Sequence, residues 1–152
     1  MKSNSVFLVL LTLISISIFG NQNSNRAEVL INSSVDEITN YLIDDFINYD
    51  YSIVTQTTNS LVLQRTLKLR EEFAVGLTIG NSYSNNFRVS KFTFINTSEG
   101  VRVIWKQFFK AVMTNGQINE KQIIDKKMTK LNLEELELIK KKLEKKNPKI
   151  VN

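Results

Sequence analysis

The sequence predicts an α+β fold: an N-terminal helix packed on a four- to five-stranded antiparallel sheet, followed by one or two C-terminal helices. Three observations predict it. A capped apolar stripe of helical period begins at Ser34, four runs rich in β-branched and aromatic residues follow between Tyr51 and Phe109, and a charged segment of helical period lies beyond Asn132. A chain of 152 residues, 42% hydrophobic and 23% charged, has the size and composition of one core-forming domain.

Residues 1–20 have the layout of a signal peptide: one positive charge at Lys2, no acid, and an apolar run from Val6 to Phe19. That run is short of the ~20 residues a spanning helix needs, so no spanning helix is expected in the mature chain, whose expected location is periplasmic or secreted. Gly20 is followed by Asn21 rather than a cysteine, so no lipid anchor can form there. Residues 21–28 are polar and read as a flexible lead, 29–147 as the domain, and 148–152 as a tail.

The first helix is signalled by Ser34 and Glu37, spaced as a capping box, and by Val35, Ile38, Leu42 and Phe46 on one stripe. Asp44 and Asp45 are adjacent on it and point about 100° apart, which suits a solvated face and not a converging pair. Residues 51–56 and 61–66 read as a hairpin around the polar 57–60 turn. Residues 86–96 and 101–109 make a second pair, in which Val101, Val103 and Trp105 alternate with Arg102, Ile104 and Lys106. Between the pairs, residues 73–80 fit either a short buried helix or a strand, and Gly76 to Asn86 reads as the bend that launches the strand at Phe87. Ile118, Ile124, Met128 and Leu131 lie at near-helical spacing, and Asn132 with Glu135 predicts the start of a helix carrying Leu136, Ile139 and Leu143.

Composition excludes several chemistries. The chain has no cysteine and no histidine, so thiol catalysis, thiolate metal sites, His-based triads and zincin motifs are absent. Gly76 and Gly80 match neither nucleotide-cradling fingerprint. No catalytic residue, metal ligand or cofactor is therefore assigned. Arg70, Glu71 and Glu72 form a charged knot that reads as a solvated turn. Two Asn-x-Ser/Thr sequons occur, at Asn32 and Asn96, in a chain where frequent Asn makes chance matches expected.

The net charge of +5 is uneven: residues 21–119 hold nine basic and nine acidic residues, whereas 120–152 hold ten lysines against six acids. Lys140, Lys141, Lys142, Lys145 and Lys146 are the candidate contacts for an anionic surface, although their place at a helix end also suits the helix dipole. Arg88, Lys91, Arg102 and Lys106 interleave with aromatics, but Arg88 shares a strand face with Phe92 while Lys91 lies opposite. That alternation favours an ordinary half-buried sheet over a platform for single-stranded nucleic acid. Tyr83, Asn85 and Asn86 are candidate loop contacts.

Gly80, Ser82, Tyr83, then Arg88, Val89, Phe92, Thr93, Phe94, then Gly100, Arg102 and Val103 stand in an order that resembles a family of small bacterial envelope proteins and lipoproteins. The resemblance covers roughly residues 28–145, and its motifs are structural, so it implies a location and no activity. Many such relatives carry the lipid-attachment cysteine that is absent here. The expectation is an exported, non-enzymatic domain that binds a protein or an envelope component. The alternatives are an anionic-surface binder and, third, a hydrolase using carboxylates alone.

Overall fold

The computed structural model describes residues 26–68, 71 and 83–146. The signal-like residues 1–20, the segment 73–80, Gly76 and Gly80, Arg70 and Glu72, and the tail 148–152 lie outside the described residues. The elements are β1 (Ala27–Ile31), α1 (Val35–Ile47), β2 (Ser52–Thr57), β3 (Ser60–Thr66), β4 (Tyr83–Thr97), β5 (Gly100–Met113), β6 (Ile118–Gln122) and α2 (Lys126–Lys146). The six strands form one antiparallel sheet in the order β1-β5-β4-β3-β2, with β6 also paired to β5.

The α+β class stands, with corrections. A strand precedes the first helix: Ala27 and Glu28, expected in the flexible lead, begin β1, which pairs with residues 101–105 of β5. Ala27, Val29 and Ile31 are buried and alternate with Glu28 and Leu30, a period-two pattern too short to stand out beside a polar leader. Ile118 to Gln122 is a strand, not a helix, held by its ladder to residues 108–112 of β5. Ile118, Ile124 and Leu131 are exposed, so their helical spacing marked no buried stripe. The sheet accordingly has six strands rather than four or five, and one C-terminal helix follows it.

That helix is continuous from Lys126. Asp125 caps it, its Oδ1 accepting from Met128 N at 2.8 Å, so Asn132 is an interior residue and not the cap. Asn132 turns inward, and its Oδ1 accepts from Gln107 Nε2 at 3.1 Å in a buried contact. Leu136, Ile139 and Leu143 form the expected stripe and pack with β1, which buries Ala27, Val29 and Ile31. Helix α1 matches its sequence signals: Ser34 and Glu37 complete the capping box, and Ile38, Leu42 and Phe46 are buried. Asp44 is exposed on its far side.

Both helices cover one face of the sheet. There Phe46 of α1 meets Tyr51, Phe92 and Trp105 edge-on at ring separations of 5.0, 5.4 and 5.4 Å, while Phe92 stacks on Trp105 at 5.1 Å. The other sheet face carries no described helix.

Candidate functional site

Directly opposed residues of an antiparallel pair point to the same face, so the register fixes what the face opposite the two helices displays. One row runs Gln64, Val89, Phe108, Gln122; the next runs Thr66, Phe87, Lys110, Glu120; a third runs Val62, Lys91, Lys106. Three lysines and two phenylalanines therefore stand together on one face. Lys91 Nζ lies 4.4 Å from the Phe108 ring centroid, and Lys110 Nζ lies 5.6 Å from that of Phe87. In both contacts it is the ammonium group that lies over the ring, a cation–π arrangement.

Lys91 and Lys106 are exact cross-strand partners, an arrangement that destabilises a sheet when the charges are alike. Glu120 answers Lys91 at 2.8 Å. Among the described residues, neither Lys106 nor Lys110 forms a salt bridge; Lys110 stands opposite Glu120 in the ladder, and its Nζ donates to the Gln64 amide oxygen at 3.5 Å. The alternation of Arg88 and Lys91 is as the sequence indicates, but it does not scatter the lysines. Lys110, absent from the sequence-derived group, completes the patch, and Arg88 leaves it for the covered face. Its membership follows from strand parity alone, once β5 is extended to Met113.

The covered face shows how this chain treats a second like-charge pair. Arg65 and Arg88 are also directly opposed, and Glu71 bridges them. Arg65 donates to both Glu71 carboxylate oxygens at 2.7 and 2.8 Å, Lys68 N donates to one of them at 3.1 Å, and Arg88 lies 3.5 Å away. The Arg65 hydrogen bonds hold the Glu71 carboxyl down at about 2, against an ordinary 4.5, and the same contact raises Arg65. Glu71 is thus not in a solvated turn. Its carboxylate is ionised and fully engaged, the reverse of what a general acid needs.

A pH prediction follows. The unfolded chain protonates Glu71 first, so the stabilisation is complete above about pH 5 and is lost as pH falls toward about 2. Allowing for solvent screening, Glu71→Gln should cost about 1–2 kcal/mol at pH 7 and almost nothing at pH 2. Urea unfolding at the two pH values checks this; an equal loss at both would refute the ion-pair account.

The residues singled out from sequence are dispersed. Lys141, Lys142, Lys145 and Lys146 are exposed on α2 and Lys140 is half-buried. Lys142 donates to Tyr41 Oη at 2.7 Å, which raises its pKa and ties it to α1. Tyr83, Asn85 and Asn86 are not in a loop: β4 begins at Tyr83, four residues before the expected start at Phe87, because the long β5 continues the ladder beyond it. Asn86 is half-buried, and its carbonyl accepts from Leu67 N at 2.9 Å. These positions do not converge with the lysine helix.

At the opposite end of the sheet is an open cleft of about 440 Å³, bordered by Ser33, Ser34, Asp36, Asn59, Asn96 and Thr97. Several of its polar groups already serve the fold: Ser34 caps α1, and Thr97 Oγ1 donates to Gly100 O at 2.8 Å. Among the described residues, no group of three metal-ligating side chains is present, and no helix is long and apolar enough to cross a membrane.

No protein-family model, curated protein or solved structure matches this chain. The lysine–phenylalanine face is therefore weighed on its chemistry.

Proposed function

We propose that this protein is an exported, non-enzymatic binding domain whose sheet face opposite the helices engages an anionic, phosphate-bearing surface. The observation that carries the reading is the opposed pair Lys91 and Lys106, with Lys110 two rows along on the same face, beyond Phe108, and one acid, Glu120, among the three. The sheet gains nothing in stability from opposing Lys91 to Lys106. The Arg65–Arg88 pair differs in geometry: its one carboxylate, Glu71, contacts both guanidiniums, whereas Glu120 contacts Lys91 alone of the opposed lysines. Three lysines with one acid among the described residues, beside flat aromatic rings, leave a net positive charge that suits an anionic partner. Export rests on residues 1–20 and on the resemblance to envelope proteins.

Vesicles containing phosphatidylglycerol, with soluble polyphosphate as a second probe, test this reading. Each lysine near such a surface contributes about 1 kcal/mol, so Lys91→Ser/Lys106→Ser/Lys110→Ser should weaken binding on the order of 100-fold. Binding should also fall steeply with salt. Lys106→Thr alone should weaken binding while raising stability by roughly 0.5 kcal/mol, because it removes the like-charge pair. Binding to polyphosphate without vesicles would identify a soluble polyanion as the partner. If the sheet variant binds normally and Lys140→Ser/Lys141→Ser/Lys145→Ser does not, the site is α2 and the sheet-face reading fails.

A further inference from the structure

Glu120 is the one acid within the three rows of the lysine–phenylalanine face among the described residues, and its position there is specific. It lies on the short edge strand β6, opposite Lys110 and two rows along the face from Lys91. Rows on one face are ~7 Å apart, so Lys91 reaches it by crossing the intervening Phe108. The Lys91 Nζ lies 4.4 Å from that ring's centroid and 2.8 Å from Glu120 Oε2. The next acid along the same face, Glu28, is already held by Arg26 and Arg102.

Lys91 and Glu120 keep 37 and 31% of their side-chain surface exposed, so an ion in solution can reach the pair. Exposed pairs of this kind are held weakly and are open to exchange. Lys106, directly opposed to Lys91, forms no salt bridge, side-chain hydrogen bond or ring contact among the described residues. Three lysines against one carboxylate leave two positive charges on these rows.

We infer that Glu120 is a built-in competitor for the anion and makes this face select phosphate monoesters over phosphate diesters. The inference rests on the anion-binding reading of the face. An anion gains Lys91 only by displacing the Glu120 carboxylate from it. A diester phosphate carries one negative charge, the same as the carboxylate, and so has no electrostatic advantage over it. A monoester carries about −1.5 to −2 at neutral pH and offers three acceptor oxygens. That charge matches the two positive charges left on these rows, and the oxygens can accept from more than one lysine at once. The monoester wins that exchange. Without the Glu120 carboxylate there is no contest, and a diester should bind nearly as well.

Phosphatidylcholine vesicles doped with phosphatidic acid (a monoester) or phosphatidylglycerol (a diester), matched for zeta potential at about pH 8, test this. The full chain should bind the monoester vesicles at least about fivefold more tightly. In Glu120→Gln, binding to the diester vesicles should tighten about three- to fivefold, and the preference should fall below about twofold. Glu137→Gln makes the same charge change at an exposed position of α2 and should keep the original preference. Glycerol 3-phosphate, added as a competitor, separates the sources: displacement supports a soluble monoester as the ligand, and persistence supports one fixed in a membrane. Equal affinity of the unmodified chain for the two vesicles refutes the inference while the anion-binding reading stands. A preference unchanged in Glu120→Gln refutes it as well, and makes Glu120 only the neutraliser of Lys91. Equal shifts in Glu120→Gln and Glu137→Gln reduce the effect to net charge and also refute it. Binding to neither vesicle overturns the anion-binding reading and the inference together.

Discussion

Phe92→Ala is expected to lower the free energy of unfolding by about 3–5 kcal/mol, among the largest losses a single substitution can produce here. Phe92 is 1% exposed and lies at the centre of the only ring cluster that joins α1 to the sheet among the described residues. It touches Phe46 edge-on and stacks on Trp105, so truncation removes its own buried area and leaves two rings facing a cavity. Relaxation is restricted, because Leu61 and Trp105 flank Phe92 across the two neighbouring strands and both are held in register by their ladders. The loss corresponds to a fall of roughly 10–20 °C in thermal midpoint for a domain of this size. Phe92→Leu, which keeps most of the volume, should cost less than half as much. If the two variants melt alike, the cavity argument fails.

The same cluster shows which features the sequence makes legible. Phe92 and Phe94 alternate with Lys91, Thr93 and Ile95, and Val101, Val103 and Trp105 with Arg102, Ile104 and Lys106, so the mainly polar alternation let the buried face be assigned by period two. The helix capped by Ser34 was equally explicit, since cap and stripe are both local signals. Strands β1 and β6 were not, because each has five residues and is fixed by pairing to a distant partner rather than by its own pattern. Asn132 misled for a related reason. An Asn followed three positions later by Glu is a good local cap, yet Gln107 draws it into the interior as a buried hydrogen-bond partner. Glu71 and the lysine face belong to this second group. Charge runs read locally as solvated, and only strand register reveals that Arg65 faces Arg88 and that Lys91 faces Lys106.

Gly100→Ala is expected to cost about 2–4 kcal/mol, through two separate effects at one atom. Gly100 has φ +141° at the end of the β4–β5 turn, a conformation that only glycine adopts readily. A methyl group there would also stand 2.5 Å from Ile31 O and 3.1 Å from Asn32 Cα, both backbone atoms that no rotamer change can move aside. The turn is otherwise closed by Thr97, whose Oγ1 donates to Gly100 O and accepts from Glu99 N, so the segment cannot yield without losing those bonds. The alternative is displacement of the β1–α1 junction. That junction is pinned on its other side, where Asn32 N donates to Glu144 of α2 at 3.1 Å and Ser34 caps α1. Gly116 provides the control. It too has a positive φ, of +83°, but a methyl group added there meets nothing within 4 Å. Gly116→Ala should therefore show backbone strain alone, about 1 kcal/mol. The gap between the two variants in chemical unfolding measures the close approach of the β4–β5 turn to β1. Equal losses would mean that the turn does not rest on Ile31, and that β1 is held by its ladder and by α2 alone.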